Sequence, residues 1–143
     1  MRNILFICAI AIGFSSCKKG PGEGGTSVIE GKVLKYTITG IGPTQDSIVF
    51  PDAGEDVYII YSNNEGDVYD DKFETNWDGT YRFEYLRKGD YTVFVYHPED
   101  SVVSGTVDMD NPVFKHIEIT SNNSLNQVDP FIFKANPEAN NNP

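Results

Sequence analysis

Few side chains in this sequence of 143 residues have the types and spacing that catalysis requires. Histidine is the side chain best suited to proton transfer near neutral pH, and the chain has only His97 and His116. His116 alternates with Ile117 and Ile119, so we expect it to face solvent. No serine lies in a nucleophile elbow, and no glycine-rich loop precedes a helical pattern. The sequence therefore predicts neither an active site nor a cofactor. A small hydrolase would need a pocket that holds one of these histidines beside a carboxylate.

The acidic segment 63–71 contains the oxygen ligands that calcium prefers, with Asp67, Asp70 and Asp71 as the candidates. Their spacing does not follow the alternating acids and the closing glutamate of an EF-hand loop. A solvated acidic loop between two strands is the simpler interpretation, and we predict no metal site.

Residues 1–16 have the pattern of a secretory signal peptide: Arg2 is basic, residues 4–14 are apolar, and two serines precede Cys17. The apolar run is shorter than the roughly 20 residues of a membrane-spanning helix. A cysteine after two small residues resembles the lipobox of bacterial lipoproteins. Phe14 stands in the place of the usual leucine, a departure similar to that in lipoproteins of the Bacteroidetes. The resemblance implies a mature chain that is anchored by a lipid on Cys17.

Residues 17–26 contain four glycines and no apolar side chain after the cysteine, which predicts a flexible spacer. Surface-exported lipoproteins of the Bacteroidetes, which this leader resembles, carry acidic residues directly after the cysteine. In this sequence Lys18 and Lys19 occupy that place. We therefore expect a location in the cell envelope, at the outer membrane and facing the periplasm. Residues 135–143, rich in asparagine and proline, predict a disordered tail.

The net charge of −10 excludes nucleic acid as a partner, because nucleic-acid binding needs lysine and arginine on the contact surface. It equally disfavours electrostatic docking on anionic lipid, which leaves the lipid as the membrane anchor. Cys8 lies in the predicted signal peptide and the sulfur of Cys17 would carry the lipid. The mature domain is therefore predicted to have neither a disulfide nor a thiolate site.

Strand patterns recur about every 10 residues, and no segment sustains the period of a helix. Asp78 and Gly79 predict a two-residue hairpin turn, because glycine adopts the positive φ that such a turn requires. Alternation after this turn places Tyr81, Phe83 and Tyr85 on the core side. The chain from 27 to 134 is predicted to be all-β, an antiparallel Greek-key sandwich of about seven to nine strands. The predicted strands are 28–36, 47–50, 56–61, 68–75, 81–85, 91–96, 102–107, 114–119 and 128–133.

The order of features between residues 28 and 96 resembles the carboxypeptidase regulatory-like domains, which are relatives of transthyretin (prealbumin) and Cna B-type sandwiches. The runs that carry the resemblance are 29–33, 53–59, 75–83 and 89–95, together with Leu86. It implies a transthyretin-like sandwich without the metal ligands of the zinc carboxypeptidases. The stretch 43–50 is longer than in those domains, and 114–133 has no counterpart in them.

Strand parity predicts an apolar patch on the outside of one sheet. If Val57 and Val93 face the core, then Tyr58, Ile60, Phe94 and Tyr96 point away from it. The resembled fold implies that these two strands are neighbours, so the four side chains would form one exposed surface. Clusters of exposed apolar side chains are typical of interfaces. The alternative is that segment 114–133 covers this face.

Trp77 is the candidate platform for a glycan. Its exposure beside a second flat ring would favour carbohydrate binding, and its burial would favour a protein partner. Ser47 and Ser101 each stand between an aspartate and an apolar residue, a triplet that resembles the O-glycosylation sites of Bacteroidetes proteins.

These observations lead us to expect a lipid-anchored module of the cell envelope that acts by binding. The expected partner is another envelope protein or a second copy of the chain. Carbohydrate binding in nutrient uptake is the alternative.

Overall fold

The structure is a computed structural model that describes residues 19–98 and 110–135. Cys17, Ser101 and the predicted strand 102–107 lie outside the described residues, as does the tail beyond Ala135. None of the described residues forms a helix with the length and apolar character needed to cross a membrane. The described strands are β1 (Glu23–Thr39), β2 (Asp46–Pro51), β3 (Asp56–Ile60), β4 (Asp71–Glu74), β5 (Thr80–Leu86), β6 (Gly89–Pro98), β7 (Asp110–Ile119), β8 (Leu125–Gln127) and β9 (Phe131–Lys134). A 3-10 turn, Gly42–Thr44, lies between β1 and β2.

The strands form two sheets, which confirms the predicted all-β sandwich. The first sheet is built around β1, which pairs with β5 and β2 on one side and with β8 and β9 on the other. The second sheet has the order β4-β3-β6-β7 and is antiparallel throughout. The prediction that all strands run antiparallel is wrong for β8 and β9, which pair parallel to β1. Segment 114–133 therefore extends both sheets instead of covering one.

Alternation along β1 and β5 builds one side of the core. Ile29 and Val33 of β1 face inward with no exposed surface. Tyr81 and Phe83 of β5 are also buried, which confirms the parity predicted for these two residues. Gly31 lies between the two buried residues of β1. A side chain does not fit at this position, because a Cβ would come within 2.3 Å of the Tyr81 hydroxyl oxygen. The second sheet contributes the buried side chains Val57, Ile59, Tyr91, Val93 and Val95.

The first strand begins earlier than predicted. Glu23–Thr26, part of the predicted spacer 17–26, already belongs to β1. The Gly22 N–H donates to the Tyr91 hydroxyl oxygen at 2.8 Å, and Arg87 Nε donates to the Gly20 carbonyl at 2.8 Å. The Arg87 guanidinium also donates to the Glu23 carbonyl. Composition alone predicts a flexible spacer. The prediction is wrong for residues 20–26, because Arg87 and Tyr91 bind the backbone of this segment and β1 begins within it.

Tyr85 is not part of the core, contrary to the alternation expected along β5. Its φ of 59° departs from strand geometry, and the strand bulges there against β1. The extra residue shifts the parity, so that Leu86 is buried and the Tyr85 side chain is 69% exposed. A positive φ at a tyrosine has no signature in the sequence.

The turn at Gly79 is confirmed, but it is not a hairpin between paired strands. Gly79 has a φ of 74°, and its N–H donates to the Asn76 carbonyl at 2.9 Å. The strands on either side, β4 and β5, belong to different sheets. The turn therefore carries the chain from one layer of the sandwich to the other.

We predict that Gly79→Ala lowers the free energy of unfolding more than Gly54→Ala does. Both glycines have a positive φ, 74° and 78°, which costs an alanine about 1–3 kcal/mol. At position 79 the new Cβ would also lie 2.4 Å from the Val33 carbonyl oxygen, whereas at position 54 the nearest atom is 3.7 Å away. Urea denaturation of the two variants measures the difference. Equal losses of stability would show that the close approach to Val33 is not there.

Candidate functional site

The register of the second sheet brings the predicted aromatic residues together. Tyr58 of β3 lies opposite Phe94 of β6, and Phe94 lies opposite Phe114 of β7. Side chains in such cross-strand rows project from the same face, which is here the face away from the core. The predicted neighbour relation of β3 and β6 and the predicted shared face are both confirmed.

Phe94 is the centre of this cluster. Its ring stacks on Tyr58 with the ring centroids 5.1 Å apart, meets Tyr96 edge to face at 5.4 Å, and contacts Phe114 at 5.2 Å. Tyr58 in turn meets Tyr69 and Tyr96 edge to face, at 4.8 and 5.4 Å. Offset and edge-to-face contacts at these distances are the favourable geometries for aromatic pairs.

The prediction that all four apolar residues are exposed is wrong for Ile60 and Phe94, which are 1% and 4% exposed. Phe94 is buried because three rings surround it. Ile60 precedes the loop 61–70, which folds back on the sheet: Asp70 N–H donates to the Ile59 carbonyl at 2.8 Å, and Thr92 Oγ1 donates to the Ser62 carbonyl at 2.8 Å. Parity gives the face to which a side chain points but not what lies above it.

The exposed part of the cluster consists of Tyr69 and Tyr96, 47% and 41% exposed, beside the partly exposed Tyr58. We call these three residues the tyrosine surface. Tyr58 donates its hydroxyl proton to Asp56 Oδ2 at 3.3 Å, and Lys72 Nζ binds the same oxygen at 2.7 Å. Burial, and then the charge of Asp56, raise the pKa of Tyr58. The surface thus presents aromatic rings with a neutral hydroxyl and an ion pair at one margin.

Sequence reasoning missed Tyr69 and Phe114. Phe114 could have been found, because Ile117 and Ile119 face inward and the same parity turns position 114 outward. Tyr69 lies in a loop, where no periodicity indicates a direction. Its contact with Tyr58 depends on the path of the whole loop 61–70.

A second polar cluster involves His116, which the sequence placed correctly on the solvent side. Its Nδ1 lies 3.0 Å from Thr92 Oγ1 and its Nε2 lies 3.0 Å from Glu65 Oε1. A hydroxyl, an imidazole and a carboxylate in this order resemble the arrangement that activates a nucleophile. Thr92 is fully buried, however, and its hydroxyl proton is directed to the Ser62 carbonyl. The cluster therefore holds the loop 61–70 on the sheet and offers no accessible nucleophile.

The three calcium candidates do not converge. Asp67 accepts hydrogen bonds from Ser62 and Asn64, both at 2.6 Å, and Asp70 accepts one from the Tyr61 N–H at 2.6 Å. Asp71 accepts a hydrogen bond from the Lys72 N–H. Within residues 19–98 and 110–135, no group of three or more potential ligands is arranged to hold a metal ion.

A third polar cluster lies where the chain passes from β2 to β3. Lys35 Nζ is 2.8 Å from Asp52 Oδ2, and Thr75 Oγ1 donates to the Asp52 carbonyl at 2.7 Å. The Glu55 N–H donates to the same Thr75 hydroxyl at 2.8 Å. Burial and the neighbouring Asp52 raise the pKa of Glu55 to about 6. The cluster connects the two sheets at this corner.

Trp77 is 87% exposed on the turn before β5, and no ring of the described residues stacks on it. Trp77 is thus exposed, as a glycan platform requires, but it lacks a second ring beside it among the described residues. Ser47 lies on the exposed strand β2, where its N–H donates to Asp46 Oδ1 at 2.8 Å. O-glycosylation at Ser47 and Ser101 stays a prediction.

Comparison with known proteins gives a distant structural similarity. No family model matches the chain, and no curated protein matches it significantly. A crystal structure from Pseudomonas aeruginosa, named a "putative carbohydrate binding protein", is similar with a TM-score of 0.44 and 13% sequence identity. The similarity covers 80% of this chain and 91% of that one.

We predict that Glu55→Gln stabilises the protein at pH 7.5. Because the folded-state pKa of about 6 exceeds the ordinary value of 4.5, the folded protein loses stability as pH rises from 4.5 to 6. Removing the charge should recover about 1 kcal/mol of unfolding free energy above pH 6, because water screens this half-buried carboxylate, and nothing below pH 4.5. Chemical denaturation across this pH range measures the gain, with Glu118→Gln on exposed β7 as the matched control. A gain that does not change with pH would contradict the burial of this carboxylate.

Proposed function

We propose that the protein is a lipid-anchored module of the cell envelope that binds another envelope protein through the tyrosine surface and catalyses no reaction. The observation that carries this proposal is the construction of that surface. Two half-exposed tyrosine rings are held by a buried Phe94 and by Tyr58, so their orientation is set before any partner arrives.

Pre-oriented tyrosines suit protein recognition. Tyrosine has a large apolar ring, a polar end and only two side-chain torsions, so it loses little entropy when a partner covers it. Such residues are enriched among those that dominate binding energy. Covering each exposed ring would contribute on the order of 1.5–3 kcal/mol. The Asp56–Lys72 ion pair at the margin would add specificity more than affinity.

The polar clusters support binding over catalysis. The His116–Glu65 pair meets the geometric condition that we set for a hydrolase, since a carboxylate lies within hydrogen-bond range of the histidine. The hydroxyl beside it is fully buried and committed to a backbone carbonyl. A reaction at this site would need a nucleophile from outside the cluster.

The lipid anchor is supported by the leader pattern before Cys17, and the early start of the fold bears on how close the domain would lie to it. Only Lys18 and Lys19 separate Cys17 from Gly20, whose carbonyl is already bound by Arg87. The proposed anchor would hold the domain close to the membrane, at the outer membrane on the periplasmic side.

We predict that Cys17→Ser moves the protein from the membrane fraction to the soluble fraction without changing its thermal unfolding. The substitution removes the sulfur that would carry the lipid, and the first described strand begins only at Glu23. Fractionation of cells that express each chain, followed by immunoblotting, measures the distribution. A variant that stays in the membrane fraction would show that another feature anchors the chain.

We predict that the double change Tyr69→Ser and Tyr96→Ser weakens association with the envelope partner while leaving the fold intact, because both side chains are about half exposed. Tagged chains are crosslinked in native envelopes with a membrane-permeable reagent, and the partner is quantified by mass spectrometry. Phe94→Ser is unsuitable, since loss of a buried aromatic side chain costs about 3–5 kcal/mol.

Trp77→Ala is the matched control, because it removes an exposed aromatic ring that does not stack on the rings of the tyrosine surface. Equal recovery of the partner by the double variant and the wild type would contradict the proposal.

Carbohydrate binding is the second candidate function, favoured by the exposure of Trp77. If Trp77→Ala, and not the double tyrosine variant, lowers the recovery of crosslinked envelope components, carbohydrate binding is favoured.

A further inference from the structure

The edge of the first sheet is open at β2. In the described part of the chain this strand pairs only with β1, and all six of its residues, Asp46–Pro51, are exposed. Ile48 and Val49 are 54% and 53% exposed, and Phe50 is 38% exposed. β9 covers the other side of β1 only as far as Tyr36, so the end of the β1–β2 hairpin extends beyond its neighbours. An exposed apolar edge strand is a template for pairing with another strand.

The backbone groups on this open edge can be assigned from the ladder. The Asp52 N–H donates to the Val33 carbonyl at 3.0 Å, so position 52 faces β1. In an antiparallel pair the direction alternates, which turns Phe50 and Ile48 toward β1 and Val49 away from it. Ser47 also faces outward, but its N–H is already bonded to Asp46 Oδ1. Pro51 has no N–H. Val49 is therefore the one residue of β2 with both a donor and an acceptor open on this edge.

We infer that β2 pairs with β2 of a second copy of the chain, antiparallel and centred on Val49. In this register the two Val49 residues exchange both backbone hydrogen bonds across a two-fold axis, as an isologous interface requires. The two five-stranded sheets then form one continuous sheet. This interface is separate from the tyrosine surface, which lies on the other sheet.

The sequence of β2 is complementary to itself in this register. Ile48 of each copy lies opposite Phe50 of the other and Val49 lies opposite Val49, so these three side chains each meet an apolar side chain. Pro51, which lacks a donor, lies opposite Ser47, whose donor is already used. A shift by two residues in either direction would place Asp46 opposite Phe50, or Ile48 opposite Asp52. A strand of unrelated sequence would match these features only by chance, which is why a second copy is the favoured occupant.

Charge makes the association depend on salt. Each copy carries a net charge of −10, and Asp46 of each lies opposite Asp52 of the other, whose charge Lys35 balances at 2.8 Å. Screening should therefore strengthen the dimer as ionic strength rises.

The test is sedimentation velocity of the full chain with Cys8→Ser and Cys17→Ser, at protein concentrations up to the millimolar range and at low and high NaCl. We expect a concentration-dependent dimer that is strengthened by salt. Val49→Pro removes the outward N–H without removing a bond to β1, and should weaken the dimer by at least about tenfold. Val49→Thr keeps the N–H and the β-branched shape, and should retain the dimer.

A wild-type chain that stays monomeric under all these conditions would overturn the inference, as would a Val49→Pro variant that dimerises as well as Val49→Thr does. Amide exchange of the wild-type protein provides a second test that does not require a folded proline variant. The Val49 N–H should become more protected as protein concentration rises. Protection that is independent of concentration would also overturn the inference.

Discussion

The fold depends on a single long strand. β1 has 17 residues and pairs with four other strands, so both sides of the first sheet are assembled on one continuous backbone. A strand of this length stays in register only if its inward side chains fit the core along its length, and Ile29 and Val33 do so with no exposed surface. Between them, the missing side chain of Gly31 makes room for the Tyr81 ring. A larger residue at position 31 would separate β1 from β5, on which the core of this sheet is built.

The second sheet is organised by what lies on its outer face. Thr92 is buried beneath the loop 61–70, where its hydroxyl reaches the Ser62 carbonyl and His116. This contact keeps the loop on the sheet, and the loop in turn carries Tyr69 to its position against Tyr58. The tyrosine surface is therefore a product of tertiary structure. The rings of Tyr58 and Tyr96 come from strands. The position of Tyr69 depends on the hydrogen bond between Thr92 and the Ser62 carbonyl, which does not itself belong to the aromatic cluster.

Much of the fold could be predicted from the sequence because strand alternation is a local property. Tyr58, Phe94 and Tyr96 were assigned to one face from the pattern alone, and the structure places them there. Exposure is different, because it depends on residues distant in the chain, so Phe94 and Ile60 were wrongly expected to face solvent. Alternation wrongly places Tyr85 in the core, because a bulge shifts the parity of β5. Composition wrongly predicts a flexible spacer for residues 20–26, because Arg87 and Tyr91 order this glycine-rich segment. The parallel pairing of β8 and β9 likewise follows from long-range topology, which no periodicity encodes.

The length of β1 also determines where the two candidate surfaces lie relative to the proposed anchor. The described chain enters β1 at Glu23, six residues after Cys17, and leaves it at Thr39. At about 3.3 Å per residue the strand spans roughly 50 Å. The hairpin formed by β1 and β2 lies at the end of β1 that is far from Cys17. Because the inferred β2–β2 pairing is antiparallel, the β1 strands of two paired copies run in opposite directions, so two copies anchored in one leaflet would lie with their strands along the membrane plane. The tyrosine surface, on the outer face of the other sheet, would be left free for a different protein.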